Sequence, residues 1–297
     1  MPVLLNDVTA AASAVRPVVY TCVAMLAFAG NSIICRLALR DGAIDPATFT
    51  TVRLLAGAIA LLLIFSVARR NTSFRSHGSW LSALMLFLYA VAFSFAYISL
   101  SAGAGALILF AFVQATMIVM SLWSGDRPSA TEWLGWTLAF AGVIWLVLPG
   151  VEAPPPGGAM LMALSGIAWG IYSIRGRKES DALGATTTNF LLSVVFVIAL
   201  AAVTFANADI SMRGVLLAVL SGALTSGVGY VVWYAALEYL SAMQAAMVQL
   251  SVPAIAAAGG VALLAEPVSM RLLVSSALVL GGISIAVTQK SKKISNS

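Results

Sequence analysis

The sequence predicts an all-α membrane protein with ten transmembrane helices, arranged as two inverted five-helix repeats around a central cavity. Three observations lead to this prediction: very few charges, ten long apolar runs and a weak internal repeat. Of the 297 residues, 61% are apolar and 9% are charged, and the mean hydropathy is +1.00. Soluble domains carry about 25% charged residues. This chain therefore has too few charges to cover a water-facing surface, and we expect the lipid bilayer to be its solvent.

Ten runs are long enough to cross a membrane, which takes about 20 apolar residues. They fall at roughly 17–39, 46–68, 79–100, 104–124, 130–149, 158–175, 183–206, 213–236, 240–264 and 270–288. The charge-free stretch 79–125 has to hold two spans, and we expect the break at the small residues 101–105. The first run is too long for the apolar core of a signal peptide, so we expect it to remain as a span. Prolines are expected in or just before the first turns of four spans: Pro17, Pro46, Pro128 and Pro267.

Basic residues in the loops predict the orientation. The net charge of +5 comes from 16 Lys and Arg against 11 Asp and Glu. If the N-terminus is cytoplasmic, eleven basic residues fall on the cytoplasmic side and five on the other, which fits the positive-inside rule. Both termini are therefore expected in the cytoplasm. A nucleic-acid partner would need a continuous basic face, which the sequence lacks.

A weak internal repeat divides the chain into halves. Residues 100–102 (Leu-Ser-Ala) match residues 240–242 at an offset near 140, and the Pro/Gly-rich segment 154–158 lies at the midpoint. We predict a first repeat over 1–150 and a second over 151–297, the latter ending in a short basic cytoplasmic tail. Because five is odd, the second half must enter the membrane from the opposite side. Inverted repeats of this kind are used by secondary transporters for alternating access.

Several of these positions resemble one family. The second predicted span opens with Pro46, Phe49 and Arg53, and the ninth contains the mid-helix Pro253 and ends in Glu266-Pro267. In this pattern the chain is similar to the EamA-type, ten-helix branch of the drug/metabolite transporter superfamily. It departs from the pattern in the fourth span, which lacks the proline.

The resemblance implies a secondary transporter in a bacterial inner membrane. Within the superfamily the chain looks most like the exporters of aromatic amino acids. The expected function is therefore export of aromatic or other neutral amino acids by alternating access. Another neutral metabolite or drug stays open as the substrate, as do the direction of transport and its coupling to ions. We expect a monomer to function, with a dimer left open.

Twelve residues are predicted to bind the substrate. Pro253 should interrupt its helix and free a backbone carbonyl near Gln249, and buried amides can hold a carboxylate or an ammonium without carrying a charge. Aromatic residues recur at helical spacing on three spans and could wall a pocket. The alternatives are interhelical hydrogen bonds of about 0.6 kcal/mol for the amides, and packing or an interfacial belt for the aromatics. The full set is Asn31, Tyr89, Phe93, Tyr97, Gln114, Trp169, Tyr172, Tyr230, Trp233, Gln249, Ser251 and Pro253.

Charged residues are predicted to avoid the middle of the membrane. Arg36 and Arg53 fall toward the outer ends of their spans, and no Asp, Glu, Lys or His falls at mid-span. Proton relays usually keep an ionisable residue in the bilayer, so a neutral or zwitterionic solute is expected, with no metal and no cofactor. An intramembrane enzyme is disfavoured because the single histidine, His77, lies in a loop and no catalytic constellation is present.

Overall fold

The computed structural model describes residues 2–69, 78–125, 127–177, 179, 181–240 and 242–295. Side chains are described for these residues except 2–15, 207, 242–243 and 288–295. The predictions made for His77 and for the basic residues Arg70, Arg75 and Lys178 lie outside the described residues, as do the side chains of the basic tail.

Helices account for nearly all of the described chain. An isolated antiparallel bridge between Ile44 and Ile210 is its only β-type pairing in these ranges. The helices are α1 (Pro2–Leu39), α2 (Pro46–Ala68), α3 (Trp80–Ala96), α4 (Ala102–Trp123), α5 (Ala130–Val147), α6 (Pro156–Gly176), α7 (Ala182–Thr204), α8 (Met212–Leu237), α9a (Ala242–Gln249), α9b (Ser251–Leu264) and α10 (Met270–Ser295). A short 3₁₀ turn, Phe205–Asn207, follows α7.

The all-α membrane class is confirmed. Nine of the described helices are long and apolar enough to cross a bilayer, counting α9a and α9b as one. The third predicted span is shorter than expected, because α3 has 17 residues. The chain turns at 97–101, so the predicted break at 101–105 is wrong. Gly103 and Gly105 lie inside α4, where Gly103 lets Ala257 of α9b approach closely.

The prediction that prolines mark the first turns of helices is correct for α2 and wrong for α1. Pro46 is the first residue of α2, and the Asp45 carboxylate caps this helix by accepting hydrogen bonds from the amides of Ala47 and Thr48. Its bounds agree with the predicted span. By contrast, α1 begins at Pro2 and continues through Pro17, so Pro17 does not mark a first turn. The apolar part of α1 is Arg16–Leu39.

The two halves pack against each other through reciprocal pairs of helices. Helix α6 packs on α3 and α4, and α1 packs correspondingly on α8 and α9b. Likewise α2 contacts α8, while α7 contacts α3. Three pairs join equivalent helices of the halves: α2 with α7, α4 with α9b, and α5 with α10. Every helix of the first half therefore has contacts in the second, and the interface between halves runs through the centre of the bundle.

The two ends of the bundle are tied in different ways. We call the end where α1 begins the N side and the other end the opposite side. On the opposite side, Arg36 and Glu266 form an ion pair of 2.9 Å, and the other Glu266 oxygen accepts from the Ala102 amide at 2.8 Å. These contacts join α1, α4 and the end of α9b. On the N side, Arg69 pairs with Asp181 at 2.8 Å, which joins α2 to α7, and Arg175 of α6 donates to the Ser82 and Ser79 hydroxyls at the start of α3, at 2.9 and 3.0 Å.

Candidate substrate-binding cavity

A narrow cavity lies between helices of both halves. Its walls come from α1 and α4 of the first half and α6, α8 and α9a of the second. The lining residues are Phe28, Met117, Trp169, Tyr172, Ser173, Arg177, Tyr230, Trp233, Tyr234, Leu237 and Gln249. Arg177 is exposed at the end of α6, and Leu237 ends α8. The cavity therefore faces the N side.

Aromatic rings form the deep wall of this cavity. Phe28 meets three rings edge-on, with centroid distances of 6.4 Å to Trp169, 6.0 Å to Tyr230 and 5.8 Å to Trp233. Trp169 also stacks on Tyr172 at 5.4 Å. The rings converge because residues three or four apart share one face of a helix. Such a wall suits an aromatic or other apolar group, since aromatic pairs gain about 0.5–1.5 kcal/mol beyond the burial of area.

A polar layer lies directly behind these rings. The Tyr89 ring is 4.8 Å from the Trp169 ring, and the Tyr89 hydroxyl accepts hydrogen bonds from Arg53 Nη2 at 3.1 Å and Asn31 Nδ2 at 3.3 Å. Asn31 Oδ1 accepts from the Ser221 hydroxyl at 2.7 Å. The layer joins α1, α2, α3 and α8.

Arg53 corrects the prediction that basic residues avoid the depth of the membrane. Its side chain is 1% exposed and reaches Tyr89, near the middle of α3, and Ser226, near the middle of α8. It is the eighth residue of α2, about 10 Å from the start of the helix along the axis. The position of Arg53 in the sequence suggests a shallower depth than its guanidinium has, because the long side chain extends inward between the helices.

The polar layer coincides with an irregular stretch of α8. Leu220–Val228 forms a π-helix. This conformation is rare in proteins, and where it occurs it is often at a functional site. Ser221 and Thr225 both direct hydroxyls to Asn31 Oδ1, at 2.7 and 3.2 Å. The wider turn thus presents both hydroxyls to one amide on α1.

The ninth span is interrupted as Pro253 predicts. Helix α9a ends at Gln249 and α9b begins at Ser251, because Pro253 has no amide to donate to the carbonyl four residues earlier. The side chain of Gln249 lines the cavity, whereas Pro253 is buried away from its lining.

The structure brings together eight of the twelve predicted residues. Five line the cavity: Trp169, Tyr172, Tyr230, Trp233 and Gln249. Three lie in the layer behind it: Asn31, Tyr89 and Phe93, the last with its ring 5.4 Å from Tyr89.

Four predicted residues lie elsewhere. Tyr97 donates to the Ala102 carbonyl at 3.3 Å near the opposite side. Gln114 lines a separate groove between α4, α5 and α10. Ser251 is exposed and donates to the Val248 carbonyl at 2.6 Å, and Pro253 acts through the backbone. Hydropathy does not set the rotation of a helix about its axis, so it could not separate these faces.

Phe28, Ser173 and Arg53 were missed by the sequence. Phe28 precedes Asn31 by three residues and therefore shares its face of α1, which is a signal that could have found it. Among the described residues, no group of three His, Cys, Asp or Glu side chains is placed to hold a metal ion.

Comparisons with known proteins agree with this architecture. The model of the EamA-like transporter family matches the chain twice, over residues 15–148 and 156–288. An uncharacterized protein of Pseudomonas aeruginosa is 46% identical over 275 residues, covering 93% of this chain and 96% of that protein. The uncharacterized transporter YoaV of Bacillus subtilis is 19% identical, over 81% of this chain and 86% of its own. A solved crystal structure shares the fold, with a TM-score of 0.64 over 92% of this chain and 97% of that chain at 16% identity.

Proposed function

Since this chain belongs to the EamA-like transporter family, we propose that it exports neutral or zwitterionic amino acids, aromatic ones among them, by alternating access. The observation that carries the proposal is the aromatic cavity, whose walls come from both of the segments that match the family. A pocket between two packed halves changes its accessible side when one half rocks against the other.

The position of the cavity and the distribution of basic residues support loading from the N side. Arg36 and Glu266 tie α1, α4 and α9b together on the opposite side, while the cavity faces the N side next to the exposed Arg177. With Arg53 inside the bundle, the basic residues divide eleven to four in favour of a cytoplasmic N side. A cavity that faces the cytoplasm loads a solute for export from a bacterial cell.

The proposal includes ten membrane-crossing helices in two inverted repeats. The reciprocal helix pairs support it. Helix α3 supplies the tenth span, since its 17 residues extend about 26 Å and the turn at 97–101 lengthens the segment toward the membrane thickness of about 30 Å.

Flux into proteoliposomes tests the proposal. Purified protein should exchange radiolabelled Phe, Trp, Met or Thr faster than empty vesicles do. Trp169→Ala should raise the KM for Phe by about tenfold, because the ring contacts Tyr89, Tyr172 and Tyr230 in the cavity wall and losing such a wall removes about 1.4 kcal/mol of binding.

Trp123→Ala is the matched control. Trp123 is 80% exposed at the end of α4, so its removal should leave flux unchanged. If no amino acid moves above the rate of empty vesicles, the amino-acid proposal is wrong. Flux of another neutral metabolite or drug in the same vesicles would then identify the alternative substrate class.

A further inference from the structure

The guanidinium of Arg53 is a buried cation with unused hydrogen-bonding capacity. Its Nε donates to the Ser226 hydroxyl at 3.4 Å and its Nη2 to Tyr89 at 3.1 Å, whereas Nη1 is buried without a hydrogen-bond partner. An arginine carries five donors, and the two on Nη1 are unsatisfied here. A buried charged group in this state is costly unless a partner binds it.

No acidic residue in the described ranges is positioned to pair with Arg53. Five acids near helix ends have other partners: Asp41 pairs with Arg40, Asp181 with Arg69 and Glu266 with Arg36, while Asp45 caps α2 and Glu132 forms a capping box at α5. The faces of Tyr89 and Phe93 lie 5.3 and 5.0 Å from the guanidinium carbon. Cation–π contacts of this kind supply about 0.5–2 kcal/mol, and neither ring offers an oxygen acceptor to Nη1.

The geometry around Arg53 suits a carboxylate. Nη1 and Nη2 form an edge that can hold both oxygens of a carboxylate in a bidentate pair. Nη1 is free, and the Tyr89 hydroxyl occupies the acceptor position at Nη2. Tyr89 links this edge to the cavity wall, since its hydroxyl accepts from Nη2 and its ring centroid is 4.8 Å from that of the cavity-lining Trp169. The cation and the aromatic wall are therefore in contact through a single residue, Tyr89.

Building on the proposed transport function, we propose that Arg53 binds the carboxylate of the transported solute, with the apolar part of the solute against the aromatic wall. The Tyr89 hydroxyl holds the acceptor position until the solute arrives. The residues that line the cavity include no Asp or Glu, so no carboxylate there forms an ion pair with an ammonium group. The substrate class is thus apolar and aromatic monocarboxylates, and amino acids are members of it because of their carboxylate.

A pair of matched ligands tests this inference without any mutation. The melting temperature of the purified full-length protein in nanodiscs is measured against rising 3-phenylpropanoate and, separately, 3-phenylpropanamide. The two differ only in the carboxylate. We expect the carboxylate to bind at least about tenfold more tightly, the size expected for a hydrogen-bonded charge. Equal binding of the amide, equal stabilisation by sodium chloride at the same ionic strength, or no stabilisation by the carboxylate would each overturn the inference.

Variants then assign the effect to Arg53. Arg53→Gln should weaken 3-phenylpropanoate by about ten- to one-hundredfold and leave the weak binding of the amide unchanged, so that the difference between the ligands disappears. Arg53→Lys keeps the charge without the planar guanidinium. Its affinity for 3-phenylpropanoate should lie between that of Arg53→Gln and that of the unmodified protein. Arg213→Gln is the matched control, because Arg213 is exposed near the start of α8, and it should bind like the original protein. A preserved carboxylate preference in Arg53→Gln would contradict the assignment.

Binding and flux separate the failure of this inference from the failure of the proposed function. Preferential binding of 3-phenylpropanoate without flux of any amino acid would keep the carboxylate site and reject amino-acid transport. Flux of radiolabelled Phe that 3-phenylpropanamide inhibits as well as 3-phenylpropanoate does would keep transport and reject the carboxylate site. If Arg53→Gln fails to fold, the comparison of 3-phenylpropanoate with 3-phenylpropanamide on the unmodified protein still tests the carboxylate site.

Discussion

At the scale of single residues, Gly222 determines how closely α2 can approach α8 beside the polar layer. A Cβ at Gly222 would overlap the backbone carbonyl of Arg53, and neither backbone can move without displacing a helix. The glycine lies in the π-helical stretch that also carries Ser221 and Ser226. The position of the Arg53 guanidinium therefore depends on a contact between two backbones, which only a residue without a side chain allows.

Gly222→Ala should destabilise the protein by about 1–3 kcal/mol, the usual cost of overpacking a close contact. The measurement is the melting temperature of purified protein in detergent. Gly281→Ala is the control, since a Cβ there meets nothing within 4 Å and alanine is favoured in helices by about 1 kcal/mol. Its melting temperature should stay the same or rise. A Gly222→Ala protein as stable as Gly281→Ala would contradict the tight contact.

At the scale of helices, the interruption of α9 places a backbone end beside the cavity. Helix α9a stops at Gln249, whose side chain lines the cavity, and α9b resumes at Ser251. Helix α4, the equivalent in the first half, is continuous over Ala102–Trp123. The two halves therefore differ where they face each other, and the N-side end of the cavity borders the shorter piece, α9a.

Pro253→Ala should separate stability from transport. The substitution removes the proline, whose cost in a helix interior is about 3 kcal/mol, and allows the missing backbone hydrogen bond to form. The melting temperature should therefore not fall. A continuous α9 should slow exchange of radiolabelled Phe by about fivefold, or roughly 1 kcal/mol in the barrier. Pro156→Ala serves as the control, because Pro156 is exposed at the first position of α6. Unchanged exchange in Pro253→Ala would show that the break has only a packing role.

The helices were more predictable from the sequence than the site was. Asp45 and Pro46 define the start of α2 through local chemistry, and its predicted bounds agree with the structure. The aromatic stripes of α6 and α8 were found because helical spacing is visible in the sequence. Gln114 lies in a separate groove and Arg53 reaches deeper than predicted, since the rotation of α4 and the reach of a long side chain depend on tertiary packing. Charges near the ends of apolar runs are thus the residues whose depth sequence alone predicts least well.

At the scale of the whole molecule, Arg36 and Glu266 stabilise the arrangement that is closed on the opposite side. Their side chains are only 17% and 10% exposed, and Arg36 also donates to the Tyr97 carbonyl at 3.0 Å. The neighbouring pair of Arg40 and Asp41 is 32% and 42% exposed and joins adjacent residues, so it should contribute little. If the halves alternate, breaking the first pair should favour opening on the opposite side, and breaking the second should not.

Glu266→Gln should therefore expose Cys35, which is buried on α1 next to Arg36. The glutamine keeps an oxygen for the Ala102 amide and removes the charged hydrogen bond that Arg36 Nε donates to the carboxylate. The experiment uses a Cys22→Ser background, because Cys22 is exposed and would also be labelled. A membrane-impermeant thiol reagent added from the opposite side should label Cys35 at least about tenfold faster in Glu266→Gln. Losing a charged hydrogen bond of about 1.5–3 kcal/mol produces a shift of this size. Asp41→Asn should leave the rate unchanged. Labelling of Cys35 that stays slow in Glu266→Gln would show that other contacts close this side, because an ion pair that holds two halves together must shift their equilibrium when it is removed.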